Sequence, residues 1–134
     1  MFTCTKNELR ELIMGASKFA VLFGEPKITE CPDGLIVDGW LAIDKWSKVT
    51  ALPDNLLCIN GELDISGNSN FKHLPDNLTV SGNLDLRGCT GLTELPDNLT
   101  VGGDLDIRRC AGITMLPRDA TIGGRVFWGD DWWG

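Results

Sequence analysis

Apolar and polar residues alternate from Leu99 to Ile107. Leu99, Val101, Leu105 and Ile107 fall on one side, Thr100, Gly102, Asp104 and Asp106 on the other, and Gly103 is in phase with the apolar set. A period of two is the signature of extended chain with one face turned inward. The same alternation runs from Leu35 to Ile43, Leu56 to Ile65, Leu78 to Leu86 and Ala120 to Trp128. A glycine in the middle of each run predicts a bend where backbone packs closely against backbone. Each run is preceded by a proline turn: CPDGL at Cys31–Leu35, LPDNL at Leu52–Leu56, Leu74–Leu78 and Leu95–Leu99, and LPRDA at Leu116–Ala120. Proline presets φ for such a turn, and Asn or Gly tolerates the left-handed conformation that closes it.

Prolines 32, 53, 75, 96 and 117 are 21, 22, 21 and 21 residues apart, and the additional residue falls in Leu57-Cys58. Aligning them gives columns: Leu35, Leu56, Leu78, Leu99, Ala120; then Val37, Ile59, Val80, Val101, Ile122; then five glycines, Gly39, Gly61, Gly82, Gly103, Gly124. Leu41, Leu63, Leu84, Leu105, Val126 and Ile43, Ile65, Leu86, Ile107, Trp128 follow. Ile28, Val49, Phe71, Leu92 and Ile113 precede the prolines by four. One such unit cannot bury its apolar face alone, whereas stacked units can, each adding a strand at about 4.8 Å.

The N-terminal segment reads as a cap. Thr5 and Glu8 have capping-box spacing, and Leu9, Leu12, Ile13 and Ala16 share one helical face. This predicts a helix from about Lys6 to Ala16 or Lys18, then a degenerate strand at Phe19–Phe23. Trp128, Trp132 and Trp133 follow the last strand, as a lid or a contact site. The organisation expected is one domain, with a cap over 1–27, a solenoid over 28–128 and a Trp-rich tail over 129–134.

The segments LDLRGCTGLTELP (Leu84–Pro96) and LDIRRCAGITMLP (Leu105–Pro117) resemble the leucine-rich repeat, with Asn68, Cys89 and Cys110 at its Asn/Cys ladder position. The unit is most similar to the short bacterial type of secreted effectors and of phage and prophage proteins. The resemblance spans about Ile28–Trp128. It implies recognition of another protein across the strand face, with no catalysis in the repeats themselves. It also implies a phage, prophage or bacterial accessory protein that binds and inhibits a host protein. Two departures stand out. LxVxGxLxL replaces the usual LxxLxL, so a horseshoe and a β-solenoid with two strands per coil, hinged at the glycines, both remain open. Trp46 occupies the ladder column of the first coil. The fold expected is mostly β: a short right-handed, leucine-rich-repeat-like solenoid of about five coils with an N-terminal helical cap.

Composition narrows the function. With 12 Lys and Arg against 19 Asp and Glu, the net charge is −7. That balance argues against binding nucleic-acid or membrane phosphates. At 43% hydrophobic, the chain is too apolar to be a disordered acidic segment. Five cysteines without a CxxC pair, and one histidine, His73, argue against a zinc site. No cofactor and no metal are expected. The charged N-terminus does not resemble a secretory leader, which points to a cytoplasmic protein, in the host cytoplasm if phage-encoded or an effector.

The candidate site is the outward strand face. Ala42, Asp64, Asp85, Asp106 and Phe127 form its central column, Trp40, Glu62, Asn83, Asp104 and Arg125 flank it on one side, and Asp44, Ser66, Arg87 and Arg108 on the other. Stacked aspartates repel, by roughly 0.2–1 kcal/mol per direct pair, which the arginines would offset. The face reads either as a protein-binding patch flanked by Trp40 and Phe127, with Trp132 and Trp133 as a second contact, or as a solvated surface whose charge prevents aggregation. Catalysis is not expected, because the aspartates repeat regularly and no nucleophile or polarised histidine accompanies them. The alternatives are an acidic nucleic-acid-mimicking decoy, such as an anti-CRISPR or anti-restriction factor, and a self-associating structural subunit. A monomer or weak homodimer is expected.

Overall fold

Alternation produces two strands per coil rather than one. The computed structural model describes residues 3–10, 27–43 and 49–129. Eleven strands follow in order: β1 (Lys27–Cys31), β2 (Gly34–Asp38), β3 (Leu41–Ala42), β4 (Leu56–Asn60), β5 (Leu63–Asp64), β6 (Thr79–Val80), β7 (Leu84–Asp85), β8 (Thr100–Val101), β9 (Leu105–Asp106), β10 (Thr121–Ile122) and β11 (Val126–Phe127). They form a six-stranded sheet, β1-β2-β4-β6-β8-β10, and a five-stranded sheet, β11-β9-β7-β5-β3. Each coil gives one strand to each sheet, and the next coil stacks on it in parallel. The molecule is a β-solenoid of about four turns with two strands per coil.

The glycine column is the corner between the sheets. Gly82 donates its N–H to the Gly61 carbonyl at 3.0 Å, Gly103 to Gly82 at 3.0 Å, and Gly124 to Gly103 at 2.8 Å. The backbones are so close there that a Cβ on Gly61 would overlap the Gly39 carbonyl. The surplus residue of the second coil is absorbed on the other side of the first sheet. Leu35 pairs with Leu56 but Ile36 with Cys58, so Leu57 bulges out and the register is restored.

Inward columns make one continuous core. Leu35, Leu56, Leu78 and Leu99 are fully buried, as are Leu41, Leu63, Leu84 and Leu105. Burying such a side chain contributes about 1.5–3 kcal/mol. The ladder residues close the loops beneath it. Asn68 Nδ2 donates to the carbonyls of Ile43 and Ile65, both at 3.0 Å. Cys89 Sγ donates to Ile65 at 3.1 Å and Cys110 Sγ to Leu86 at 2.8 Å. The turns stack too: Asp97 N–H donates to Asp76 Oδ1 at 3.1 Å, and Asn98 Nδ2 to Asn77 Oδ1 at 2.9 Å. The Asp76 carboxylate therefore serves the neighbouring coil's turn.

The first coil departs from the repeat. Ile28 is buried like Val49 and Phe71. It lies, however, in β1, which turns back across Pro32-Asp33 and pairs antiparallel with β2, Ile28 opposite Val37. A hairpin thus closes that end of the first sheet. Residues 6–10 are helical. The capping box forms, with Thr5 N–H donating to Glu8 Oε1 at 3.1 Å and Glu8 N–H to Thr5 Oγ1 at 3.2 Å. Asn55 docks this segment, bonding the Cys4 N–H at 2.9 Å and the Cys4 carbonyl at 2.6 Å. The remainder of the expected helix, the Phe19–Phe23 strand, Asp44, Trp46, and Trp132 and Trp133 of the tail lie outside the described residues. Among the described residues, no helix is long and apolar enough to cross a membrane.

Candidate protein-binding face

Period two in the second sheet sends Leu63, Leu84 and Leu105 inward and Asp64, Asp85 and Asp106 outward. The parallel register then stacks Ala42, Asp64, Asp85, Asp106 and Phe127 in one column. Each aspartate is fixed by the residue two positions on. Asp64 Oδ1 accepts from the Ser66 N–H at 2.9 Å and its hydroxyl at 2.6 Å. Asp85 accepts from the Arg87 N–H and Nε, both at 3.1 Å, and from Nη2 at 2.8 Å. Asp106 repeats this with Arg108, at 3.2, 3.0 and 2.6 Å. A backbone N–H plus a two-pronged guanidinium leaves each carboxylate one orientation.

The forks also join one another. Arg87 Nε lies 3.5 Å from Asp106 Oδ2 in the next coil. Arg108 stacks over the Phe127 ring, 5.2 Å from its centroid. The guanidiniums of Arg87 and Arg108 are pushed above the usual arginine range, first by their hydrogen bonds to Asp85 and Asp106. The repulsion expected of stacked aspartates is thus met by alternating charge along Asp85, Arg87, Asp106 and Arg108.

The flanking column has a structural duty that its sequence did not announce. Asn83 Nδ2 donates to Glu62 Oε1 at 3.1 Å. Asn83 Oδ1 accepts the Asp104 N–H at 2.8 Å, and Asp104 Oδ1 accepts the Arg125 N–H at 2.8 Å. Each side chain caps the corner of the following coil. The available signal was an acceptor side chain directly after three of the five column glycines, at Glu62, Asn83 and Asp104. A Cβ on Gly103 would overlap Asn83 Oδ1, and one on Gly124 would overlap Asp104 Oδ1.

Trp40, Glu62, Asp64, Asp85, Arg87, Asp104, Asp106, Arg108 and Phe127 therefore share one face. Trp40 is 41% exposed at its first coil. The ladder thiols lie in the interior. Burial, and secondarily the neighbouring Cys110, pushes the Cys89 thiol up to about 12, and burial raises Cys110. All five cysteines are free. Among the described residues, no three His, Cys, Asp or Glu side chains group to hold a metal ion. Compared with family models, with curated proteins and with solved structures, the chain matches none of them.

Proposed function

We propose that this protein is a non-enzymatic binding module that recognises another protein through the outer face of its second sheet. The observation that carries the reading is the locked row of Asp85, Arg87, Asp106 and Arg108. Binding a partner would order these side chains little further, which removes one of the costs of a polar interface. Trp40 and Phe127 supply aromatic area at opposite ends of the face. The resemblance to short bacterial leucine-rich repeats extends the proposal to a phage, prophage or effector protein that inhibits a host protein in the host cytoplasm. The guanidinium forks weigh against a phosphate-mimicking decoy, since they neutralise the two carboxylates nearest the centre of the row.

The test is affinity capture from host lysate with the wild type and two variants. Asp64→Lys with Glu62→Lys reverses charge without touching the forks, and Trp40→Ala removes an aromatic end. A partner retained by the wild type and lost by both supports the face. Undiminished capture by both variants refutes it.

A further inference from the structure

Among the described residues, the core columns lose their cover at the last coil. Val80 and Val101 are at most 1% exposed, whereas Ile122, next in that column, is only half-buried. Leu84 and Leu105 are fully buried, whereas Val126 is half-buried, and Trp128 is 42% exposed. Among the described residues, the backbone of that coil has no further strand beside it. Within the stack, Leu105 N–H donates to the Arg125 carbonyl of the next coil at 2.8 Å. Val126 takes the place of Leu105 in the last coil, and β10 and β11 are the outermost strands of their sheets among the described residues.

Beside Trp128 lies a groove of about 430 Å³, lined by Ile107, Cys110 and Ile113. Arg118 and Arg125 stand exposed on this last coil. Neither has an ion-pair partner among the described residues. The last coil thus brings two strand edges, an adjoining groove with apolar walls and, beside the single carboxylate Asp119, two exposed arginines to one end of a chain of net charge −7.

We infer that this end is a strand-addition site that takes an extended acidic segment of a partner protein as one more rung. Main-chain bonds to β10 and β11 would supply affinity, and alternate side chains specificity. Apolar residues of the segment would cover Ile122 and Val126, and its carboxylates would meet Arg118 and Arg125. A second copy fits less well. A two-fold joint would bring each arginine rim against its own image. A head-to-tail joint would meet β1, whose antiparallel pairing with β2 leaves no parallel continuation of the first sheet. The site adjoins the carboxylate face at Arg125 and Phe127 but engages the strand edges rather than the Asp64, Asp85 and Asp106 column, and it does not rest on that column binding a partner.

The probe is a synthetic peptide of residues 97–107, which carries the rung pattern and whose Asp97 and Asp104 fall in the columns of Arg118 and Arg125. Full-length protein is titrated with it while amide exchange is followed at Ile122 and Val126. Saturable binding is expected, with both amides becoming protected. Arg118→Glu with Arg125→Glu should weaken binding at least tenfold. Glu62→Lys with Asp64→Lys, on the other face, should leave it unchanged. A peptide with lysine in place of Asp97 and Asp104 should not bind. Absence of binding overturns the proposal, as does equal binding of the lysine peptide. So does protection of both amides in the free protein, which would mean the edge is already covered, by its own chain in a monomer or by a second copy in a dimer seen by light scattering.

Discussion

Arg87 and Asp106 belong to neighbouring coils, yet Nε of the first lies 3.5 Å from Oδ2 of the second, while the same guanidinium grips Asp85 at 2.8 Å. One cation spans two rungs of like charge. Arg87 is half exposed, so solvent screens much of the attraction. Arg87→Gln is expected to cost at most about 1 kcal/mol in urea unfolding. The difference from wild type should shrink in 1 M salt, where the screening length is about 3 Å. A salt-independent loss would assign the effect to packing.

At the glycine corner, Asn83 reaches the space a side chain on Gly103 would need. Gly103→Ala should destabilise by about 1–3 kcal/mol, the usual range for overpacking. Adding Asn83→Ala should recover only part of this, because the Gly82 carbonyl carbon also lies 3.0 Å from the position of that Cβ. Full recovery in a double-mutant cycle would place the whole clash on the Asn83 side chain.

Arg109 adopts φ 62°, where the preceding coils carry Gly88 at 75° and Gly67 at 80°. A left-handed conformation costs a non-glycine residue about 1–2 kcal/mol, and glycine returns part of this through its freer unfolded state. Arg109→Gly is therefore expected to stabilise by about 0.5–1 kcal/mol, read as a higher Tm. A lower Tm would show that contacts of the arginine side chain outweigh the strain.

Alkaline pH should weaken the fold through the ladder thiols. The native state holds the Cys89 proton up to about pH 12, against 9.0 for an ordinary thiol. The unfolded chain binds fewer protons between these values, so stability is intact below pH 9 and falls as pH rises towards 12. The slope is about 1.4 kcal/mol per pH unit for one fully shifted thiol. Cys89→Ser with Cys110→Ser keeps donors for the Ile65 and Leu86 carbonyls and should flatten the slope in urea titrations between pH 9 and 11. An unchanged slope would shift the cause to other groups.

The coil length, the core columns, the glycine corner and the ladder were legible because each repeats in register. A repeated residue type reports a repeated environment. The outward position of Asp64, Asp85 and Asp106 followed from period two alone. Three features were not legible. The antiparallel course of β1 depends on a turn sequence, Pro32-Asp33, close to those that lead into parallel strands elsewhere, so the local signal is the same. The corner caps of Asn83 and Asp104 join residues 21 apart, and no local rule couples them. The open edge at Ile122 and Val126 is a property of position in the stack, which a column of similar residues does not encode.

The ladder bonds that cross between coils run only to the coil before or after. Among the described residues, no parallel strand pairing bridges past a neighbouring coil. Cohesion is therefore a chain of nearest-neighbour links, and such a chain unzips from its weaker end. The hairpin and the Asn55 clasp secure one end, while the half-buried Ile122 and Val126 leave the other with one partner each. Heating should peel this molecule directionally, last coil first, with the rungs beside the hairpin holding longest.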